Sequence, residues 1–204
     1  TIGDTLTAKG VSWAWYSGAW TQASSDRSVV YNGTVPNFQA HHQPFNYFAR
    51  FAPGTADRAT YLKDYNDMVA ALSAGTLPAV AFYKPQGNLN EHPGYTDVLS
   101  GDQHIADVVA KIQASPIWSS TVIVITYDEN GGYWDHVAPP AGDRWGPGTR
   151  VPAIIISPFA RKGFVDSTAY DTTSIVKLIT RRFGLDPLPG ARAGAGDLTN
   201  ALDF

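Results

Sequence analysis

The residues best suited to chemistry in this chain lie in one stretch, from Asp128 to His136. Asp128, Glu129, Asn130, Asp135 and His136 together bring three carboxylates, a carboxamide and an imidazole. Oxygen-rich groups of this kind are the ligands that hard divalent cations prefer. The two neighbouring carboxylates repel each other, and a bound cation would offset that repulsion. We therefore expect a ligand site here rather than an ordinary polar turn.

A strand followed by a tight turn is expected to position these groups. Val122–Ile125 is a run of β-branched residues, which predicts a strand buried on both faces. Gly131–Gly132 lets the backbone turn sharply after the acidic residues. The acidic residues thus follow the carboxyl end of a predicted central strand, where open α/β sheets place their ligand sites.

Four further histidines occur in the chain. His41 and His42 directly precede a predicted helix start at Pro44, which makes them a plausible anion-facing pair. His92 follows a predicted strand, and a structural and a functional role fit it equally well. His104 lies at the start of an amphipathic helix, where we expect an exposed residue without chemistry.

Three other motifs favour structural roles. Ser157 follows an apolar strand but lacks the Gly-x-Ser-x-Gly pattern of a nucleophile turn. Asn32–Thr34 matches a glycosylation sequon, a pattern short enough to arise by chance. Arg181–Arg182 suits a solvated helix end.

The order of elements predicts one α/β domain over residues 1–204, with a mostly parallel sheet and helices on both faces. Strands are predicted near 11–16, 79–83, 121–127 and 151–156, with Pro152 at a strand start or edge. Helices are predicted near 1–9, 44–50 and 58–74, the last of these capped by Asp57, then from Asp102 to Ser115–Pro116, and from Asp171 or Thr172 to Gly184.

Composition excludes several classes of function. The net charge of −3 and the absence of a basic cluster argue against a nucleic-acid partner. The longest apolar runs are strand-sized, so we expect no transmembrane segment. The absence of cysteine excludes disulfides, cysteine-based zinc sites and thiol chemistry. The chain opens at Thr1 without a methionine or a signal-peptide pattern, so we expect this end to arise by processing or cleavage.

Seven segments together resemble the bacterial phosphoesterase family that unites phospholipases C with acid phosphatases, within the alkaline-phosphatase-like superfamily. The acid phosphatase branch looks nearest, and Asp-Glu-Asn-Gly-Gly-x-x-Asp-His is the most specific piece. The segments are Val11–Tyr16, His41–Phe48, Gly75–Pro78, Asn90–Pro93, Tyr127–Val137, Val151–Phe159 and Tyr170–Ile175.

The resemblance implies a metal-dependent phosphoester hydrolase that is exported, to the periplasm or as a secreted protein. A Ser or Thr hydroxyl held on a divalent metal attacks phosphorus and forms a phospho-enzyme. By the same resemblance, Asp128 and Glu129 are metal ligands, with calcium, magnesium, manganese or iron all open. The phosphoryl group is surrounded by His41, His42 and His92, and Asp135 and His136 orient the site.

One departure qualifies that expectation. The family has an amino-terminal portion with a Glu-Asn metal-ligand pair and the nucleophile, and neither is found here. The resemblance therefore implies a truncated, carboxy-terminal part of the catalytic domain, with amino-terminal elements missing. We expect this part alone to hydrolyse little or no phosphomonoester and to bind metal weakly.

Three further points stay open: association, the rival function and the substrate. We expect association with the missing amino-terminal segment, or self-association, because a sheet that lacks strands exposes an edge. The rival function is a noncatalytic metal- or ligand-binding α/β module. Within the enzyme reading, phosphomonoester and phospholipid substrates are both open.

Overall fold

The computed structural model describes residues 1–94 and 96–203, and it confirms the predicted α/β class. The chain divides into two compact units. The parallel-sheet unit comprises Val11–Trp118, and the two-strand unit comprises Thr1–Gly10 with Ser119–Phe204. The described helices are α1 Ile2–Ala8, α2 Trp20–Ser25, α3 Ala56–Tyr61, α4 Tyr65–Ala74, α5 Val98–Gln113 and α6 Thr173–Phe183. The described strands are β1 Trp13–Ser17, β2 Leu62–Asp64, β3 Val80–Lys84, β4 Ile123–Thr126 and β5 Ala153–Ile156.

The sheet of the parallel-sheet unit has the order β2-β1-β3, and both pairings are parallel. Trp15 of the central strand β1 is in register with Leu62 on one side and Phe82 on the other. Because the strands are parallel, their carboxyl ends meet at one edge, next to Ser17, Asp64 and Lys84.

Alternation along β1 directs its side chains into two hydrophobic layers. On one face, Ala14 and Tyr16 pack in a core with Met68 and Leu72 of α4 and Val108 of α5. Burial raises the pKa of the Tyr16 hydroxyl to about 12, so this side chain stays neutral in the core.

The other face of β1 is aromatic. The Trp13 ring stacks on Tyr61 of α3 at 4.4 Å and meets Phe45 at 4.9 Å. Trp15 stacks on Phe82 at 4.9 Å. Since α4 and α5 cover one face and α3 contributes to the other, the prediction of helices on both faces is confirmed for this unit.

The two-strand unit departs from the mostly parallel pattern. Strands β4 and β5 pair antiparallel, with Ile123 opposite Ile156. The prediction that Val122–Ile125 is buried on both faces is wrong, because β4 is only half-buried and Ile154 of β5 is 56% exposed. β-Branched composition predicted the strand correctly but not the number of layers that cover it. Pro152 directly precedes β5, as expected.

Three predicted helices have different boundaries in the structure. The segment predicted as one helix at 58–74 contains α3, the short strand β2 and α4, and Thr55 rather than Asp57 caps α3. Residues 44–50 form two 3₁₀ turns, Pro44–Tyr47 and Ala49–Phe51. Helix α5 begins earlier than predicted, because Asp97, and not Asp102, accepts a hydrogen bond from the Ser100 amide at 2.7 Å.

Two predicted helix ends are correct. Gly75 and Gly184 close α4 and α6 in the left-handed conformation that glycine adopts without strain. Within residues 1–94 and 96–203, no helix combines the length and the apolar character that crossing a membrane requires.

Candidate functional site

His42 is held at the carboxyl edge of the parallel sheet. Its backbone carbonyl accepts hydrogen bonds from the Trp15 indole and the Ser17 hydroxyl, both at 2.7 Å. Its side chain is buried, and Nδ1 donates to the Pro85 carbonyl at 2.6 Å. The carbonyl fixes the proton on Nδ1, so Nε2 is the nitrogen that carries the lone pair when the ring is neutral.

His41 lies beside His42 but in a different environment. Its side chain is exposed, and Nδ1 is 3.1 Å from the Tyr31 hydroxyl. The two imidazoles meet edge to face, with 4.6 Å between ring centres. The structure therefore brings His41 and His42 together as one exposed and one buried imidazole.

His92 lies in the loop that follows β3. Its amide donates to the Asn90 side chain at 3.0 Å, and its Nδ1 donates to the Pro93 carbonyl at 2.7 Å. His92 and His42 thus have the same tautomer, imposed in each case by a proline carbonyl. Such a contact is how proteins usually decide which ring nitrogen is used for chemistry.

The acidic loop directly follows β4, as the sequence predicts. Asp128 and Glu129 are exposed, and Glu129 accepts a hydrogen bond from the Gly131 amide at 2.8 Å. Asn130 accepts one from the Gly132 amide at 2.9 Å. Both glycines have positive φ angles, 61° and 81°, so this turn needs residues without a Cβ.

Asp135 is tied to Arg150 rather than to an imidazole. Its two oxygens accept hydrogen bonds from the Arg150 guanidinium at 2.9 and 3.0 Å and from the Arg150 amide at 3.1 Å. The Val137 amide adds another at 3.0 Å. The guanidinium is the main reason that the pKa of Asp135 lies well below its usual range. His136 is exposed and lines a cavity of about 600 Å³ with Asn130, Tyr133 and Trp134.

The acidic loop fits a metal in the type of its ligands but not in their number. Carboxylate oxygens suit a hard divalent cation. Among the described residues, however, no three His, Asp or Glu side chains come close enough together to hold an ion. Asp128 and Glu129 can therefore supply at most part of a coordination shell.

Sequence reasoning missed a set of buried polar residues near His42. Ser17, Asn37, Gln39 and Gln43 are fully buried, and Gln43 donates to the Trp15 carbonyl at 3.2 Å. Residues of these types are mostly exposed in proteins, so no sequence pattern marks these four as buried. The carboxamide of Gln43 in His-His-Gln-Pro was the only member within a motif already singled out.

The prediction that His104 is an exposed residue is wrong. It is half-buried, and its Nε2 lies 2.6 Å from the Tyr83 hydroxyl, because one face of α5 packs on β3. Burial lowers the pKa of His104 and raises that of Tyr83. Both residues line a cavity of about 660 Å³ that also borders Gly18 and Asp64, at the carboxyl ends of the strands.

The Phosphoesterase family model matches residues 1–186. This chain belongs to that family. It is similar to phospholipase C B of Mycobacterium tuberculosis, at 32% identity over 98% of this chain and 42% of the relative. A non-hemolytic phospholipase C of Burkholderia pseudomallei is 30% identical over the whole chain and 33% of the relative. One of Pseudomonas aeruginosa is 33% identical over 64% of this chain and 24% of the relative.

The family model covers most of this chain, whereas this chain covers only part of each relative. The family pattern covers most of the chain, and it includes every residue singled out above as a candidate site residue. The chain itself spans less than half of the length of each of the three relatives.

Proposed function

We propose that the chain contributes to a phosphoester hydrolase site in which His41, His42 and His92 face the phosphoryl group. Family membership supports the reaction class. One observation supports the assignment of these residues. The Nδ1 hydrogen bond to the Pro85 carbonyl fixes His42 at the carboxyl edge of the parallel sheet. Ligand sites of α/β sheets lie at that edge.

The fixed tautomers define what each imidazole does in the proposed site. Because Nδ1 of His42 and of His92 donates to a carbonyl, Nε2 is the atom directed to chemistry. Protonated Nε2 donates a hydrogen bond to a phosphoryl oxygen or a proton to the leaving group. Neutral Nε2 accepts a proton instead, so the same atom serves both halves of a two-step hydrolysis.

The proposal assigns Asp128 and Glu129 as two oxygen ligands of a divalent cation. A divalent cation held there would stabilise negative charge on a bound oxygen. Asp135, locked to Arg150, holds the backbone of the same loop in place, next to His136. The phospho-enzyme hydroxyl that the family resemblance implies is not supplied by any residue named here.

The names of the relatives favour one substrate class. All three are phospholipases C from bacteria. We propose a phospholipid phosphodiester in preference to a phosphomonoester, and a site of action outside the cytoplasm.

Binding of inorganic phosphate to the purified chain tests the assignment of the histidines. We expect phosphate to shift the side-chain nitrogen signals of His41, His42 and His92 in NMR spectra. His92→Ala should weaken binding roughly tenfold, since hydrogen bonds to charged groups contribute about 1.5–3 kcal/mol. Gln103→Ala, at an exposed position on helix α5, is the control and should leave the affinity unchanged.

Hydrolysis decides between the enzyme and its rival. We expect release of product from a phosphatidylcholine vesicle by the product of the full gene, and its loss in the His92→Ala variant. Divalent metal binding without any phosphate binding or hydrolysis would instead support the noncatalytic module.

A further inference from the structure

A short buried polar segment lies next to the predicted histidine pair. Asn37, Gln39 and Gln43 all have 0% exposure. Asn37 Nδ2, Gln39 Oε1 and Gln43 Oε1 have no hydrogen-bond partner within the described part of the chain. Buried polar groups in proteins are nearly always paired, so this cluster requires an explanation.

Residues 37–42 are hydrogen-bonded to the turn that follows β3. His42 Nδ1 donates to the Pro85 carbonyl at 2.6 Å, and the Gly87 amide donates to the Asn37 carbonyl at 2.8 Å. The Asn37 amide in turn donates to the Gln86 side chain at 3.4 Å. Three successive residues of the turn, 85 to 87, are therefore each held by residue 37 or 42.

Gly87 fits between the two carboxamides without room for a side chain. Gln39 Nε2 donates to Asn37 Oδ1 at 2.7 Å, so the two carboxamides form one unit. A Cβ at position 87 would overlap the Gln39 amide nitrogen and lie 2.7 Å from Asn37 Nδ2. The carboxamide pair thus sets the position of the backbone at Gly87.

The turn leads directly to the third histidine. The Leu89 amide donates to the Gln86 carbonyl at 2.9 Å, which closes the short 3₁₀ helix Gly87–Leu89. The Thr96 hydroxyl donates to the Asn88 carbonyl at 2.7 Å, and His92 lies between these two residues in the chain. Fixing Gly87 therefore fixes the point from which the His92 loop departs.

Stability alone does not account for the carboxamides. A buried polar atom without a partner carries its full desolvation cost, whereas two apolar side chains of the same shape avoid it. The pair is thus an expensive way to fill the interior. The Gln39–Asn37 hydrogen bond is directional, so it fixes how both carboxamides pack against Gly87, which apolar side chains would not do.

We propose that Asn37 and Gln39 are positioning residues for the histidines of the phosphoryl site. They hold the turn at Pro85–Asn88, and so fix both the Nδ1 hydrogen bond of His42 and the start of the His92 loop. The role in catalysis rests on the proposed function, but the effect on the imidazoles does not.

The Gln39→Met variant tests this directly, because methionine keeps the length of glutamine and removes its hydrogen bonds. We expect the variant to fold with unchanged or higher thermal stability. Proton–nitrogen NMR should show the single Nδ1–H tautomer of His42 replaced by a mixture of tautomers. Phosphate affinity should fall roughly tenfold, as is typical when a residue that orients a ligand is lost. Gln22→Met, at an exposed position on α2, is the matched control and should change neither signal.

Gly87→Ala disturbs the packing of Gly87 against the carboxamides of Asn37 and Gln39 by adding a Cβ to the turn. It should produce the same loss of the His42 tautomer while Asn37 and Gln39 are unchanged, and it decides the matter if Gln39→Met does not fold. A folded Gln39→Met or Gly87→Ala protein that keeps the single His42 tautomer would overturn the proposal. Absence of phosphate binding by the unaltered chain would instead count against the proposed function, because the tautomer is measured without phosphate.

Discussion

Backbone carbonyls determine much of the chemistry that single residues can perform here. His42 and His92 differ in burial and in neighbours, yet each donates Nδ1–H to a proline carbonyl. In each neutral ring the proton is therefore on Nδ1 and the lone pair is on Nε2.

The Asp135–Arg150 contact gives a prediction at the scale of one residue. Asp135→Asn removes the charge and half of the accepting capacity that hold Val137 and Arg150. We expect faster hydrogen exchange at the Val137 and Arg150 amides, measured by NMR, with α6 unaffected.

Asp186→Asn is the matched control for that experiment. Asp186 is exposed, and it makes no hydrogen bond or ion pair within the described residues. Unchanged exchange at Val137 in Asp135→Asn would show that the arginine contact does not hold the loop.

Sequence reasoning succeeds at this scale where a motif is local. Asp128, Glu129 and Gly131 are adjacent, so residue type and order already predicted an acidic turn after a strand. Arg150 lies fifteen residues beyond Asp135, and no spacing rule connects an ion pair across a loop. Asn37 and Gln39 were missed for the same reason, because their burial depends on packing from distant segments.

At the scale of elements, β2 shows how tertiary pairing overrides local periodicity. Tyr61, Leu62 and Tyr65 have helical spacing, which predicted a continuous helix over 58–74. Pairing of Leu62–Asp64 with β1 interrupts it, and Asp64 then caps α4 in a capping box with Asp67. Because β2 forms, Asp64 lies at the carboxyl end of the sheet, whereas a continuous helix would have placed it elsewhere.

The aromatic layer under β1 gives a prediction about two neighbouring 3₁₀ turns. Phe51 is 1% exposed and meets Trp13 and Phe45, whereas Tyr47 is 66% exposed. Phe51→Ala should lower the free energy of unfolding by roughly 3–5 kcal/mol, as for other buried aromatic truncations. Tyr47→Ala should change it by about 0.5 kcal/mol or less.

Urea unfolding followed by circular dichroism measures both values. Equal effects of Phe51→Ala and Tyr47→Ala would contradict the assignment of the aromatic layer as a core. The contrast is informative because the two turns overlap residues 44–50, which the sequence predicted as one helix.

For the whole molecule, the shifted pKa values predict how stability depends on pH. Burial holds the pKa of His104 below its ordinary value of 6.5, while Asp107 and Lys111 on α5 act on it in opposite directions. Below pH 6.5 the unfolded chain binds a proton there more readily than the folded chain. Stability is therefore lost as pH falls from 6.5 to the folded pKa, and no further below it.

The carboxylate of Asp197 adds a second, more acidic pH range over which stability is lost. Hydrogen bonds from Thr199 and then from Arg181 lower the pKa of Asp197 from 3.8 to about 2, against the opposing effect of burial. Its contribution to stability is fully present above pH 3.8 and is lost as pH falls towards 2. The two pH-dependent losses of stability arise in different units, because His104 lies in the parallel-sheet unit and Asp197 lies in the two-strand unit.

The His104→Gln variant removes the titrating imidazole and so separates the two effects. Glutamine keeps a hydrogen-bonding group beside Tyr83. We expect the unaltered chain to lose more unfolding free energy between pH 7.5 and 5 than the variant does, as measured by urea titration. His136→Gln, at an exposed position, serves as the control. Parallel pH profiles for the chain and His104→Gln would rule out the buried imidazole as the cause.

The distribution of tryptophan between the units has an optical consequence. Trp13 and Trp20 in the parallel-sheet unit are 3% and 7% exposed, whereas Trp134 and Trp145 in the two-strand unit are 89% and 77% exposed. We expect emission from the first pair to be blue-shifted and protected from acrylamide, and emission from the second pair to be red-shifted and readily quenched. Acrylamide quenching of the intrinsic fluorescence should therefore follow the loop that contains Trp134 and Trp145 separately from the buried tryptophans of the parallel-sheet unit, without any added label.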